Sequence, residues 1–384
     1  MHALVTMIQI TNVQVERFSI PLGDAPLLVT TGSRTLTFLN REGAYLRLAA
    51  EDSNVSGIGE IVEPVFTGTT NDDPSQILHA ALDHVRLCRC LIGQLIDMSR
   101  WDFAIRALID MVIPMETWNH ALVIARFGLE QALLTLASNA MQQPLHRTLR
   151  SWVFGEGFER AAPSHVLVNS LYNMRGGVSH SVVPDACVKI KVAAEPACPA
   201  IDAKLVNRVA QSSRSRSWIR LDANQRWSLE QASEFARSLS DHALAAIDYL
   251  EEPVNVSIIE DFAQMLQQLD FSSSNASRIT YAIDEALLFD GAVAFAEANT
   301  NLRVIHKTFL HGIRDSPVLK SCASRITITT TFETGIGLSF LAHLAAAVNP
   351  TSYHGIHALP SMIHADKETQ RVNSRVSKAG IHLS

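Results

Sequence analysis

Long apolar runs are missing from this sequence. No uninterrupted stretch reaches the roughly 18 residues that a bilayer-spanning helix needs, and the longest candidates are broken by Asp110 and His343. The opening residues, MHALVTMIQITNVQVERF, lack a basic segment followed by a cleavable apolar one. Basic charge is in deficit: 32 Lys and Arg against 38 Asp and Glu leave −6, the opposite of the basic stripe that a general nucleic-acid binder carries. Cysteine is scarce and odd in number, at Cys88, Cys90, Cys187, Cys198 and Cys322. That suits a reducing compartment better than a disulfide framework. Cys88 and Cys90 are too closely spaced for a zinc knuckle, and no second pair completes one. G-x-S-x-G, G-x-G-x-x-G and the P-loop are all absent. The expectation is a soluble intracellular protein, in bacterial cytoplasm or a plastid stroma, with no membrane span and no nucleic-acid partner.

What is present is core material. The 384 residues are 47% hydrophobic and 18% charged, enough for one large domain or two ordinary ones. The first 75 residues alternate as strands do, and Arg41-Glu42-Gly43 with the segments on either side of Gly57 predicts a hairpin. Residues 76–150 carry three-to-four spacing of apolar residues, as in Ile77, Leu78, Ala81 and Leu82 or Phe127, Leu129, Leu133 and Leu134. Pro144 is expected to close that region, and 91–118 has no clear pattern. From about residue 164, short β-branched runs alternate with helical segments at roughly 25–35-residue spacing, the mark of successive βα units and a parallel sheet. Seven such runs, with an eighth at 354–359, suit a closed barrel. The reading is an α/β protein: an α+β capping domain over 1–150, a barrel over 151–364, and a loose polar tail over 365–384.

Barrel strands should be nearly all apolar, and here they are not. In Val188-Lys189-Ile190-Lys191-Val192 the alternation sends both lysines to the interior. The same logic sends Asp222 and Asn224 inward, and later strands end in Glu251, Asp284 and Lys307. Each of these alone is ordinarily a solvated face, a helix cap or a strand terminator. Five at one rim, each about one βα unit after the last, call for a common cause. Three carboxylates repel unless a cation lies among them, and an all-oxygen set favours Mg²⁺, for which Mn²⁺ can substitute. Lysines beside such a cation and each other have a reason to lose a proton and act as bases. The combination suggests removal of a proton next to a carboxylate, with the cation stabilising the charge that develops.

At these residues the chain resembles the enolase superfamily, in its muconate-lactonizing branch. Lys189-x-Lys191, Asp222-Ala223-Asn224, Glu251-Glu252-Pro253, Asp284-Glu285 and Lys307 match its ordered motif set. The resemblance implies a capping domain over a modified (β/α)₇β TIM-type barrel, with Mg²⁺ on Asp222, Glu251 and Asp284. Within the branch, Asp222 through Ala232, Ile328 through Gly337, Gly57-Ile58-Gly59-Glu60-Ile61 and Arg126-Phe127-Gly128-Leu129-Glu130 are most similar to the o-succinylbenzoate synthase family. That likeness implies dehydration of 2-succinyl-6-hydroxy-2,4-cyclohexadiene-1-carboxylate, on the route to menaquinone or phylloquinone. It also implies that Lys191 removes the proton and then protonates the departing hydroxide, that Lys189 depresses the pKa of Lys191, and that Lys307 acts as a cation–π partner on the opposite ring face. Glu63 within an otherwise apolar-proline run, Gln225 in place of a common arginine, and the Gly-Asp-Ala loop at 23–25 depart from the pattern.

Thr330 and Thr331 are candidates to meet a substrate carboxylate, and Gly355 could admit a ligand to the backbone. For all three, ordinary strand or turn structure is an equal alternative. Asn224 could order a water on the metal. His306 should face the helices, and Trp227 should pack. The partner is a small-molecule carboxylate; oligomeric state is open, and the chain could be a module of a larger biosynthetic protein. N-acylamino acid racemisation, dipeptide epimerisation and a catalytically silent barrel are the rival readings.

Overall fold

The computed structural model describes residues 7–23, 26–31, 34–52, 54–65, 73–114, 119–155, 163–172, 187–193, 198–212, 218–268, 279–288, 291–314, 316–377 and 380–383. Most of the Gly-Asp-Ala loop, Phe66 and residues 115–118 lie outside them.

The N-terminal part begins with strands β1 (Met7–Pro21), β2 (Leu27–Thr31), β3 (Arg34–Phe38), β4 (Asn40–Ala50) and β5 (Ser56–Val62). Helix α1 (Pro74–Arg86), strand β6 (Leu95–Asp97) and helices α2 (Trp101–Val112), α3 (His120–Ala140) and α4 (Leu145–Phe154) follow. β5, β4, β1 and β6 form one antiparallel sheet in that order. The expected hairpin is β4–β5, with Gly43 opposite Val62 and Ala49 opposite Ser56. α1 starts where Asp73 accepts the Ser75 N–H and proline opens the helix, and Ile77, Leu78, Ala81 and Leu82 are buried as their spacing requires. The unpatterned stretch 91–118 contributes β6 and the amphipathic α2. Pro144 does not close the helical region: its fixed φ makes it a helix opener, and it is the N-cap of α4.

α3 is long and apolar enough to cross a membrane by composition alone, yet it is largely buried inside the fold. It packs against β5 at backbone distance. A Cβ on Gly59 would lie 1.9 Å from the Gly128 carbonyl oxygen, and one on Gly57 would lie 2.0 Å from that of Ala132. Only glycine permits that approach. No other described helix is both long and apolar enough to span a bilayer.

The second part runs β7 (His165–Val166), β8 (Ser170–Tyr172), β9 (Val188–Lys191), α5 (Pro199–Ser212), β10 (Ile219–Asp222), α6 (Leu229–Arg237), α7 (Asp241–Ala246), β11 (Ile247–Glu251) and α8 (Ile259–Gln268). It continues through β12 (Tyr281–Ile283), α9 (Ala292–Ala298), β13 (Leu302–His306), α10 (Thr308–His311), α11 (Val318–Ser321), β14 (Ile326–Ile328) and α12 (Gly335–Val348). Strands β8 to β14 form one parallel sheet in sequence order. Parallel bridges from His354 to Val168 and from Gly355 to Thr329 bring the eighth segment between its two edges. The sheet thus curls into the expected barrel.

The polar segment from Ala365 is not a loose tail. Helices α13 (Pro360–Ala365) and α14 (Lys367–Asn373) precede strands β15 (Val376–Ser377) and β16 (Gly380–His382), and β16 pairs with β7. Buried Thr369 accepts the Gly335 N–H at 2.8 Å. Composition hid this because the docking uses a few polar groups and Val372 and Ile381 rather than an apolar stripe.

Candidate active site

The barrel's parallel register places the predicted charges at one level. Asp222 lies beside Lys191 on one side and Glu251 on the other, and Asp284 follows the last residue of β12. Asp222, Glu251 and Asp284 are 1%, 1% and 3% exposed. The Lys189 ammonium lies between two of them, donating to Glu251 at 2.7 and 2.8 Å and 2.8 Å from Asp222 Oδ2. Lys191 donates to Asp222 Oδ2 and Asn224 Oδ1, each at 2.6 Å. Lys307 bridges Asp284 Oδ2 at 2.7 Å and Glu285. β9 and β13 have three strands between them whichever way the barrel is followed, so Lys191 and Lys307 rise from opposite walls.

Burial, then the Asp222 charge, pushes the Glu251 carboxyl well above the usual range. Burial, then Glu285, pushes Asp284 up to about 7. Asp222 goes the other way: burial opposes its charge, but Lys189 and Lys191 hold it far below the usual value. Burial likewise opposes charge on Lys189 and Lys307, and the carboxylates override it, raising both. Two of the lysines are therefore held as ammonium in this arrangement rather than poised as bases.

Among the described residues, no three Asp, Glu, His or Cys side chains are gathered closely enough to hold a metal ion as they stand. The donor chemistry nevertheless fits a hard divalent cation. Asp284 Oδ1 is buried with no hydrogen-bond partner, and Glu251 and Asp284 are both driven toward neutrality by burial and neighbouring negative charge. A cation with oxygen ligands answers both conditions.

The other expectations divide. Asn224 sits beside Asp222, its N–H donating to Asp222 Oδ1 at 3.1 Å, with φ of +48°. The hydroxyls of Thr330 and Thr331 turn back to Glu333, the latter at 2.6 Å. Gly355 closes the barrel, accepting the Thr330 N–H at 3.1 Å. His306 faces away from the rim, within 2.8 Å of Ser316 Oγ, and Trp227 packs on Phe235 with ring centroids 4.5 Å apart.

Sequence reasoning assigned no role to four groups. Arg220 lies inside the barrel, on the same side of β10 as Asp222. It donates to Asp248 at 2.8 Å and the Tyr353 carbonyl at 2.7 Å, and stacks on Tyr249. The alternation that found Asp222 points to it equally. The remaining three fasten or support the rim. Glu60 on β5 accepts two N–H groups and a hydroxyl at the start of α12: Thr334 N at 2.7 Å, Thr334 Oγ1 at 2.8 Å and Gly337 N at 2.7 Å. Fully buried Arg41 donates to the carbonyls of Phe332 at 3.0 Å and Thr331 at 3.2 Å. Glu130 on α3 accepts the Arg314 N–H at 3.0 Å, just beyond the turn that begins at Lys307. The Gly57–Ile61 and Arg126–Glu130 motifs thus belong to the seam between the two parts.

Residues 183–378 match the family model described as Enolase C-terminal domain-like. An o-succinylbenzoate synthase of Photorhabdus laumondii is 29% identical over 162 residues, 41% of this chain and 47% of its own length. One from Haemophilus influenzae is 28% identical over 148 residues, 38% and 42% of the two chains. The matched region spans about half the length of these relatives. Among solved structures, a mandelate racemase/muconate lactonizing protein of Herpetosiphon aurantiacus superposes with TM-score 0.64 at 19% identity, covering 92% of this chain and 90% of that one. A dipeptide epimerase of Enterococcus faecalis, complexed with Mg and the dipeptide L-Leu-L-Tyr, gives 0.64 at 18% identity over 91% and 90%.

Proposed function

The chain belongs to the enolase C-terminal domain-like family, and from that premise we propose that it is a carbon–oxygen lyase, an o-succinylbenzoate synthase. The substrate is 2-succinyl-6-hydroxy-2,4-cyclohexadiene-1-carboxylate and the product 2-succinylbenzoate, an intermediate toward menaquinone or phylloquinone. The observation that carries the reading is the rim itself: Lys191, Asp222, Glu251, Asp284 and Lys307 from five consecutive strands, with Lys189 below. The likeness to the synthases supports this reaction among those the scaffold hosts.

Asp222, Glu251 and Asp284 would hold Mg²⁺, which supplies stabilisation of the negative charge that develops as the proton leaves. Lys191 takes the proton from the carbon bearing the carboxylate. The electron pair released forms the new ring double bond as the C–O bond at the adjacent carbon breaks, and Lys191 returns the proton to the departing hydroxide. Water leaves and the ring becomes aromatic. Lys189, tied to Asp222 and Glu251, fixes both carboxylates and the level at which Lys191 stands. Lys307 presents a cation to the opposite ring face.

The opposed lysines also favour a second reading, epimerisation of a dipeptide or racemisation of an N-acylamino acid, in which each lysine serves one face. One assay separates the two. Under the synthase reading the enzyme bleaches the diene absorbance, EDTA abolishes the bleaching, and Lys191→Ala lowers the rate by about 10³-fold or more. Unchanged absorbance together with deuterium exchange into an N-acylamino acid or dipeptide establishes the rival. An activity indifferent to Lys191→Ala refutes both.

A further inference from the structure

Glu252 takes no part in the reaction above, yet it is 2% exposed and adopts φ of +45°, a conformation non-glycine residues seldom hold. Such backbone persists where surrounding structure enforces it, commonly at functional sites. Here two adjacent glutamates make different contacts. Glu251 points to the barrel interior, while Glu252 Oε1 accepts the N–H of Asp284 at 2.7 Å and that of Ala286 at 3.0 Å. The backbone of Glu252 ties in both neighbours of β11: its N–H donates to Ala282 at 2.9 Å, and its carbonyl accepts the Gln225 N–H at 2.7 Å. One residue thus connects the ends of the three strands that deliver Asp222, Glu251 and Asp284.

We infer that Glu252 is a positioning residue for the carboxylate cluster, holding the turn that carries Asp284 so that its unpartnered Oδ1 would be available to a bound cation; this rests on the metal reading of the site. The inference follows from the direction of the two hydrogen bonds. They fix the main chain of Asp284 itself and of the residue two beyond it, leaving the Asp284 side chain one defined approach. Partners of metal ligands commonly tune affinity by 10- to 100-fold.

Mn²⁺ is the probe, titrated into the full chain without substrate and followed by the free-ion EPR signal. Glu252→Ala is expected to weaken Mn²⁺ binding by about 10- to 100-fold. Glu252→Gln keeps an acceptor oxygen and should hold close to the wild-type affinity. Glu252→Gly, for which positive φ carries no strain, serves in place of alanine if that variant fails to fold. Asp202→Ala is the control for general loosening: Asp202 also accepts a strand-end N–H, that of Ala193 at 2.8 Å, but supports no carboxylate ligand. It should lower the melting temperature without moving Mn²⁺ affinity. Wild-type affinity in Glu252→Ala, or in Glu252→Gly where the alanine variant does not fold, or an equal loss in Asp202→Ala, overturns the positioning role while leaving the metal reading intact. A wild-type chain that takes up no Mn²⁺ overturns the metal reading, and this inference with it.

Discussion

Substituting Glu60 by glutamine tests how the cap is fastened to the barrel. The carboxylate is buried and receives three hydrogen bonds from the start of α12. Those donors, and the positive end of the helix, favour its ionised form. Burial and the nearby charge of Glu333 favour the neutral form; burial is the largest influence, and the group is pushed up from 4.5 to about 7. A carboxyl with a higher pKa folded than unfolded adds stability that is fully present below the unfolded value and is lost as pH rises through the folded one. For Glu60 the window runs from 4.5 to about 7, and a shift of that size corresponds to about 3 kcal/mol.

Glu60→Gln preserves the volume and one acceptor but does not titrate. The unfolding free energy of the wild type minus that of the variant should therefore fall by about 3 kcal/mol between pH ~4.5 and pH ~8. Other titrating groups occur in both proteins and cancel to first order. Urea unfolding across that range, followed by near-UV circular dichroism, gives the difference directly. A difference that stays level or grows with pH refutes the reasoning, because it means that the three donors outweigh burial and the carboxylate is charged throughout.

Gly59→Ala places a methyl 1.9 Å from the Gly128 carbonyl oxygen, so β5 and α3 must separate. A loss of about 3 kcal/mol or more is expected in thermal or urea unfolding, and an unchanged midpoint would show that the seam is loose. Arg220→Met should cost about 3 kcal/mol, somewhat less than for a fully buried pair, because Asp248 loses its 2.8 Å partner but stays 17% exposed with Arg303 3.7 Å away. Adding Asp248→Leu should recover part of the loss; a double variant no better than the single one contradicts the assignment of the cost to an unpaired charge.

The barrel and its rim were legible because strand geometry is periodic. An alternation of two fixes which residues of β9 and β10 share a face, and the spacing of βα units fixes which strand ends share a level. Lys189, Lys191 and Asp222 come together as that period predicts, and Arg220 obeys the same rule. The fastening was not legible, because no local period governs it. Glu60 meets Thr334 across 274 residues, through backbone N–H groups that every sequence position possesses. Thr330 and Thr331 illustrate the same limit: they lie just beyond β14, and their hydroxyls turn toward Glu333 at the bend where Phe332 has φ of +68°. A positive φ at Asn224, Gln225 and Glu252 likewise redirects side chains just where strands end. Period therefore identifies the residues that reach the mouth of the barrel, and the backbone turn immediately after each strand decides whether a given side chain faces the reacting centre or braces it. Glu251 and Glu252 are the clearest instance: identical in chemistry and adjacent in sequence, one held by Lys189 and the other holding the N–H groups of Asp284 and Ala286.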